Sequence, residues 1–103
     1  MNRLIIAPLA VRDLQAIHDY IAKDNPDAAS RLLERLDGRL SMVREHPGIG
    51  KKRDELQPGV RCTAESNYLI VYRLVEEHTV EIARVLHSKR NLRKILRSGN
   101  KSQ

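Results

Sequence analysis

The sequence is poor in aromatic residues and in cysteine, and each shortage excludes a class of function. It has three tyrosines and neither phenylalanine nor tryptophan, so it lacks the stacked rings on which proteins hold single-stranded bases. The single cysteine, Cys62, excludes an internal disulfide and a cysteine-based zinc site. The histidines show no metal-ligand spacing, and Gly48-Ile49-Gly50 lacks the third glycine of a phosphate loop. We therefore expect no metal and no cofactor.

Long apolar runs are absent as well. No stretch of about 18 apolar residues is present, so we expect no membrane span, and the apolar stretch near Met1 is too short for a secretory signal. A lone thiol fits a reducing compartment, which predicts a cytoplasmic protein. With 103 residues, 41% of them hydrophobic, the chain has the material for one core. We predict a single domain over residues 1–103, with a frayed tail at 98–103.

The positive charge is concentrated in the second half of the chain. Residues 1–50 hold seven basic and seven acidic residues, whereas residues 51–103 hold twelve and six, which accounts for the net charge of +6. From Arg84 to Lys101 no acidic residue occurs. Such asymmetry indicates an anionic partner, either an acidic protein segment or nucleic acid bound through its phosphates. The alternative is a solvated tail that keeps the protein soluble.

The first half has the pattern of a strand followed by a helical hairpin. Residues 2–6 read as a short strand, and apolar residues from Val11 recur at helical spacing until about Lys23. Asn25-Pro26 stops that helix and starts a second one, which ends before the loop Pro47–Gly50. The very short connection predicts that the two helices are antiparallel.

The second half has the period of strands. Residues 59–63, 68–74 and 79–86 are three predicted strands in a meander, with Val80, Ile82 and Leu86 on one side of the last strand and Ala83 and Val85 on the other. A short basic helix is predicted after Ser88, with three apolar residues turned inward: Leu92, Ile95 and Leu96. The element order predicts an α+β fold of the form β-α-α-β-β-β with a C-terminal helix, in which the helical hairpin packs on a mainly antiparallel sheet.

The candidate site residues are basic and lie in the second half. Arginine on a short strand can present its planar fork to a phosphate or a carboxylate. The residues predicted to contact a target or a partner are Arg61, Arg73, Arg84, His87, Arg90 and Arg93. The alternative for Arg73 and Arg84 is ion pairing within the sheet, for Arg84 with Glu81 or Glu65. Asp13 and Asp19 are expected on the exposed face of the first helix, not as a catalytic pair.

Several short motifs in order resemble those of ParE-type toxins. The resemblance covers roughly residues 3–92, and its motifs are specific in their order and spacing more than singly. They are Ala10-x-x-Asp13-Leu14-x-x-Ile17-x-x-Tyr20-Ile21, Asn25-Pro26, Pro47-x-x-Gly50, Glu55-Leu56-x-x-Gly59-x-Arg61, Tyr68-x-Ile70-x-Tyr72-Arg73 and Ala83–Arg90. Asn91 stands where an acid is expected, which puts a local salt bridge in doubt.

The resemblance implies the RelE/ParE fold and the toxin role of a type II toxin–antitoxin system, of the kind associated with plasmid stabilisation. It implies a ParD-like antitoxin that folds as it binds, DNA gyrase as the target, and no chemistry of the chain's own. The alternative is RelE-like cleavage of mRNA on the ribosome, for which Arg61, Arg84 and His87 would form the catalytic cluster. A second alternative is a non-toxic protein-binding module.

Overall fold

The structure, a computed structural model, describes residues 2–101, and of residues 97–101 it describes the backbone alone. The elements in chain order are β1 Arg3–Ile6, α1 Pro8–Ala22, α2 Pro26–Glu45, a 3₁₀ turn Pro47–Ile49, β2 Lys51–Lys52, β3 Arg61–Glu65, β4 Tyr68–Glu76, β5 Thr79–His87 and α3 Leu92–Lys101. The predicted order of helices and long strands is confirmed. The tail predicted for residues 98–103 falls on residues of which the structure describes the backbone of 98–101 only.

The strands form one five-stranded sheet in the order β1-β5-β4-β3-β2. β1 runs parallel to β5, and the other neighbouring pairs are antiparallel. The predicted mainly antiparallel sheet is therefore confirmed. The two-residue strand β2 was not predicted, because Lys51 and Lys52 lack the apolar alternation that marks a strand. It is a strand only because it pairs with Arg61 and Cys62 of β3.

Two proline-started helices make the hairpin that covers one face of the sheet. Pro8 and Pro26 each stand in the first turn of their helix, where the missing N–H costs nothing. Asn25 caps α2, since its side-chain oxygen accepts a hydrogen bond from the Ala28 N–H at 3.0 Å. The buried residues of α2 fall on one stripe at helical spacing: Ala29, Leu32, Leu36, Leu40 and Val43.

The sheet is covered on both faces. Ile70 and Tyr72 of β4 lie in the main core with the helical hairpin. Val71, between them, faces the other way and packs with Cys62 and Leu96 in a second, smaller core under α3. Three consecutive residues of β4 are thus fully buried, as expected for a central strand that has structure on both sides. Of the residues predicted to turn inward on α3, Leu92 and Leu96 are buried and Ile95 is half-buried.

The predicted sidedness of β5 is wrong after Ile82. A bulge interrupts its pairing with β4: Tyr72 is opposite Ile82, but Val71 is opposite Arg84. The extra residue, Ala83, shifts the alternation by one position. Val85 therefore joins Val80 and Ile82 in the main core instead of facing away from them. Strict alternation in sequence cannot reveal a bulge, because the extra residue is defined only by its partner strand.

Candidate functional site

The predicted site residues lie in three separate places, and Arg61 occupies the first. Its guanidinium Nη1 donates hydrogen bonds to the carbonyl oxygens of Gly50 at 2.7 Å and Gly48 at 3.4 Å. Arg61 therefore holds the loop that leads from α2 into β2. In this structure its fork is engaged by backbone carbonyls on one side, which restrains the side chain at the edge of the sheet.

Tyr72 anchors the same loop from the core. Its hydroxyl donates to the Pro47 carbonyl at 2.7 Å and accepts from the Gly50 N–H at 2.8 Å. The ring is fully buried, and burial raises the pKa of the hydroxyl above its ordinary value. A Cβ at Gly50 would collide with this ring. The Pro47-x-x-Gly50 motif is thus a turn fitted against Tyr72.

Arg84 lies in an ion pair with Asp13, which corrects two expectations. Its Nε and Nη2 donate to the two carboxylate oxygens of Asp13 at 2.8 and 2.9 Å, and the Val85 N–H donates to the same carboxylate at 2.9 Å. The Asp13 side chain is only 13% exposed, so Asp13 is not a residue of the exposed helix face. The partner of Arg84 is neither Glu81 nor Glu65.

This ion pair joins residues 71 positions apart in sequence. The hydrogen bonds from Asp13, followed by its charge, raise the pKa of Arg84 further above its ordinary value. Bidentate geometry with little exposure makes the pair stronger than an ordinary surface salt bridge. The sequence contains a clue that was not used: Asp13, Ile17 and Tyr20 are spaced so that they share one face of α1.

Arg73 also pairs within the sheet. Its Nε donates to a Glu81 carboxylate oxygen at 3.1 Å, across the β4–β5 ladder, where the two residues are direct partners. Arg73, Glu81 and Arg84 line a cavity of about 380 Å³ on the α3 face of the sheet, between the start of α1 and the side chains of α3. Arg73 is half-exposed in this pair, and such pairs contribute little to stability.

His87 and Arg90 lie in a groove between α1 and the end of β5, which we call the β5 groove. Its volume is about 650 Å³, and its lining residues are Asp13, Ala16, Ile17, Tyr20, Tyr68, Val85, Leu86, His87 and Arg90. Tyr20 stands at its rim with 76% of the residue exposed. The His87 ring meets the Tyr68 ring edge-on, with centroids 5.4 Å apart. Apolar walls with an arginine at the end are a surface suited to a peptide segment.

The His87 ring is oriented by its neighbours. Its Nδ1 accepts a hydrogen bond from the Lys89 backbone N–H at 3.2 Å, so the neutral ring carries its proton on Nε2. Arg93 is exposed and lies near the loop before β3. There the pKa of Glu55 is lowered mainly by its hydrogen bond from Arg53 and, to a smaller extent, by the charge of Arg93.

The three residues proposed for nuclease chemistry do not converge. Arg61 is opposite Tyr72, which lies in the hairpin core, whereas Arg84 is opposite Val71, which lies in the core under α3. Residues directly opposite each other share a face of the sheet, so Arg61 and Arg84 belong to opposite faces. His87 is opposite Tyr68, four positions from Tyr72 along β4, roughly 13 Å away at the usual rise.

Two further properties concern the part of the chain that the structure describes. Within residues 2–101 no group of three histidine, cysteine, aspartate or glutamate side chains has the arrangement of a metal site. No helix in that range combines the length and the apolar character that crossing a membrane requires.

Solved structures share this architecture. A chain of the chromosomal ParDE toxin–antitoxin system from P. aeruginosa superposes with a TM-score of 0.72 at 22% identity, covering 86% of this chain and 98% of that one. A chain of the toxin–antitoxin complex RelBE2 from Mycobacterium tuberculosis superposes with a TM-score of 0.52 at 28% identity, covering 84% and 96%. The α+β domain built here thus has the fold of the RelE/ParE toxins.

The sequence comparison narrows this class to one family. Residues 4–92 match the family model for the ParE toxin of the type II toxin–antitoxin system parDE. Toxin ParE1 of Mycobacterium tuberculosis is 29% identical over 89 residues, which are 85% of this chain and 91% of that protein. The chain belongs to the ParE toxin family of type II toxin–antitoxin systems. The resemblance predicted from the sequence is confirmed.

Proposed function

We propose that this chain inhibits DNA gyrase by binding it in the cytoplasm, without chemistry of its own, and that a ParD-like antitoxin neutralises it. Membership of the ParE family supports this assignment. The observation that carries it is the separation of Arg61 and Arg84 on opposite faces of the sheet. General acid–base chemistry needs its groups within hydrogen-bond reach of one reacting centre, and these residues face different surroundings.

Charge and shape favour a protein partner. The exposed cations Lys89, Arg90 and Arg93 follow the β5 groove along the chain, and that stretch contains no acid. An acidic antitoxin segment that orders itself on this surface gains both apolar contact and charge complementarity. We expect a complex that buries more than about 1,200 Å² in total, as stable interfaces do.

A supercoiling assay with purified gyrase tests the proposal. The chain alone should inhibit supercoiling, and an equimolar amount of the antitoxin encoded beside it should restore activity. The double variant Arg90→Glu, Arg93→Glu should lose inhibition, because both exposed cations border the predicted contact surface. Lys51→Glu, Lys52→Glu is the matched control: it makes the same charge change on exposed residues of the opposite edge strand and should keep inhibition.

Translating ribosomes distinguish the nuclease alternative. The chain added to them should leave mRNA intact, because Arg61, Arg84 and His87 do not share a site. Cleavage that disappears in a His87→Ala variant would overturn the proposed mechanism and favour RelE-like activity. Inhibition of neither gyrase nor translation, in a chain that still binds the antitoxin, would favour a binding module without toxicity.

A further inference from the structure

β5 is longer than the strand beside it, which leaves part of its outer edge without a partner strand. β1 pairs with β5 only from Thr79 to Ile82, whereas β5 continues to His87. The chain leaves the edge at Ala7, whose N–H donates to the Ile82 carbonyl at 2.9 Å. Within the described residues no other strand borders β5 between Ala83 and His87 on that side.

The bulge decides which backbone groups point outward there. Val85 is turned to the open edge, because its N–H donates to the Asp13 carboxylate at 2.9 Å. Ser88 is turned the other way, since its N–H donates to the Asn67 carbonyl. Alternation therefore directs the Val85 carbonyl and the His87 N–H outward. Asp13 stands in for a strand at one position only, and the next two ladder positions have no strand partner in the described chain.

These two backbone groups lie along the β5 groove. On the far side of the groove Ala16, Ile17 and Tyr20 of α1 form an apolar wall parallel to the edge. The Asp13 charge at the inner end is compensated by Arg84. Arg90 at the other end is an exposed cation. An occupant thus meets a strand edge, an apolar wall and a positive end.

We propose that an extended acidic segment of the antitoxin adds to the sheet as a further strand beside Val85 and His87. Its backbone donates to the Val85 carbonyl and accepts from the His87 N–H, one apolar side chain fills the space between Ile17 and Tyr20, and a carboxylate pairs with Arg90. Strand addition at an unpaired edge is a general mode of peptide binding, with backbone hydrogen bonds for affinity and side-chain pockets for specificity. This inference rests on the antitoxin partnership proposed above.

Residue-resolved hydrogen exchange tests the backbone contact. In ¹⁵N-labelled chain the Val85 amide should be protected both alone and in the complex with the antitoxin, because Asp13 accepts its hydrogen bond in either state. The His87 amide should exchange fast in the free chain and at least about 100-fold more slowly in the complex. A His87 amide that exchanges equally fast in a saturated complex would overturn the inference.

A pair of helix variants tests the groove itself. Ala16→Tyr places a ring in the groove and should weaken antitoxin binding about tenfold or more by occupying the space of a central apolar contact. Gln15→Tyr is the matched control: it introduces the same side chain at the neighbouring exposed position of α1, outside the groove. Equal affinities for the two variants, measured by calorimetry with unchanged helical circular dichroism, would contradict the proposal.

The outcomes separate this inference from the proposed function. No antitoxin binding at micromolar concentration would reject the partnership itself, and the inference with it. Tight binding with an unprotected His87 amide would keep the partnership and reject strand addition. Concentration-dependent protection of His87 in the isolated chain, accompanied by dimer formation in sedimentation, would assign the edge to a second copy and would also overturn the inference.

Discussion

Tyr72 shows how one side chain couples the core to a surface loop. Its ring is fully buried under the helical hairpin, while its hydroxyl forms hydrogen bonds with both ends of the Pro47–Gly50 turn. A buried hydroxyl with both hydrogen bonds formed is stabilising, whereas the loss of either partner leaves a buried polar group unsatisfied. The turn is therefore ordered by contacts that lie more than twenty residues away in sequence.

The two glycines of this turn should respond differently to alanine. Gly50→Ala should destabilise the chain by about 1–3 kcal/mol, because the new methyl group collides with the packed Tyr72 ring. Gly48→Ala is the control, since its Cβ would meet no atom within 4 Å, and its effect should stay within about 0.5 kcal/mol. Urea unfolding of both variants measures the difference. Equal unfolding free energies would show that Tyr72 does not restrain the turn.

Asp13 is the second residue whose role depends on a distant partner. It compensates Arg84 and satisfies the Val85 N–H at the open edge of β5. Both charged side chains are mostly, though not fully, removed from water. Loss of the carboxylate would therefore leave a guanidinium and a backbone N–H without their partner in a partly dry setting.

Asp13→Ala should cost about 2–3 kcal/mol of unfolding free energy, less than the loss of one member of a fully buried pair because water still reaches the site. Asp19→Ala is the matched control on the same helix. Asp19 is 66% exposed and contacts only His18, so its loss should cost less than about 0.5 kcal/mol. Thermal or urea unfolding compares the two, and a cost for Asp13→Ala no larger than that of the control would refute the role assigned to the pair.

At the scale of the elements, α3 is the least anchored part of the fold. Its described side chains contribute Leu92 and Leu96 to the buried set, and Gln57 donates to the Leu96 carbonyl at 3.2 Å. Leu96 covers Cys62, which lies in the smaller core with Val60 and Val71. An element held by few buried contacts opens more easily than the central strands.

The Cys62 thiol reports on this opening. Burial raises the pKa of the thiol, so both access and thiolate formation are disfavoured at neutral pH and alkylation should be slow. Leu96→Ala should speed labelling by iodoacetamide about tenfold or more, because the cavity weakens α3 docking by an expected 2–3 kcal/mol. Arg93→Ala, an exposed change on the same helix, should leave the rate unchanged. Equal rates for the two variants would show that α3 does not guard the thiol.

At the scale of the whole molecule, charge divides the chain more sharply than the fold does. The segment that forms β1 and the hairpin is neutral, and the segment that forms β2 to β5 and α3 carries the excess. Part of that excess is compensated within the sheet, where Arg73 and Arg84 have carboxylate partners. Arg90 and Arg93 are exposed and lie where an anionic partner can reach them. Their contribution to binding should shrink as salt is added, since exposed charges are screened beyond about 8–10 Å.

The sequence alone determined the helical hairpin, the three long strands and the family. Apolar spacing and the Asn25-Pro26 stop are local signals, so they survive without knowledge of the fold. The ordered motifs predicted the ParE family for the same reason: spacing along the chain is preserved in the sequence itself. The burial of Leu92 and Leu96 also followed from helical spacing within a short segment.

Only the tertiary structure decided which residues meet. The bulge after Ile82, the strand β2 and the Asp13–Arg84 pair each exist through a partner far away in sequence, and no local pattern encodes such a partner. For this reason the sequence predicted the candidate arginines as one group, whereas the fold assigns Arg61 to the turn, Arg73 and Arg84 to ion pairs, and Arg90 to the β5 groove. Side-chain chemistry is a property of the residue, but a site is a property of the contacts that folding creates.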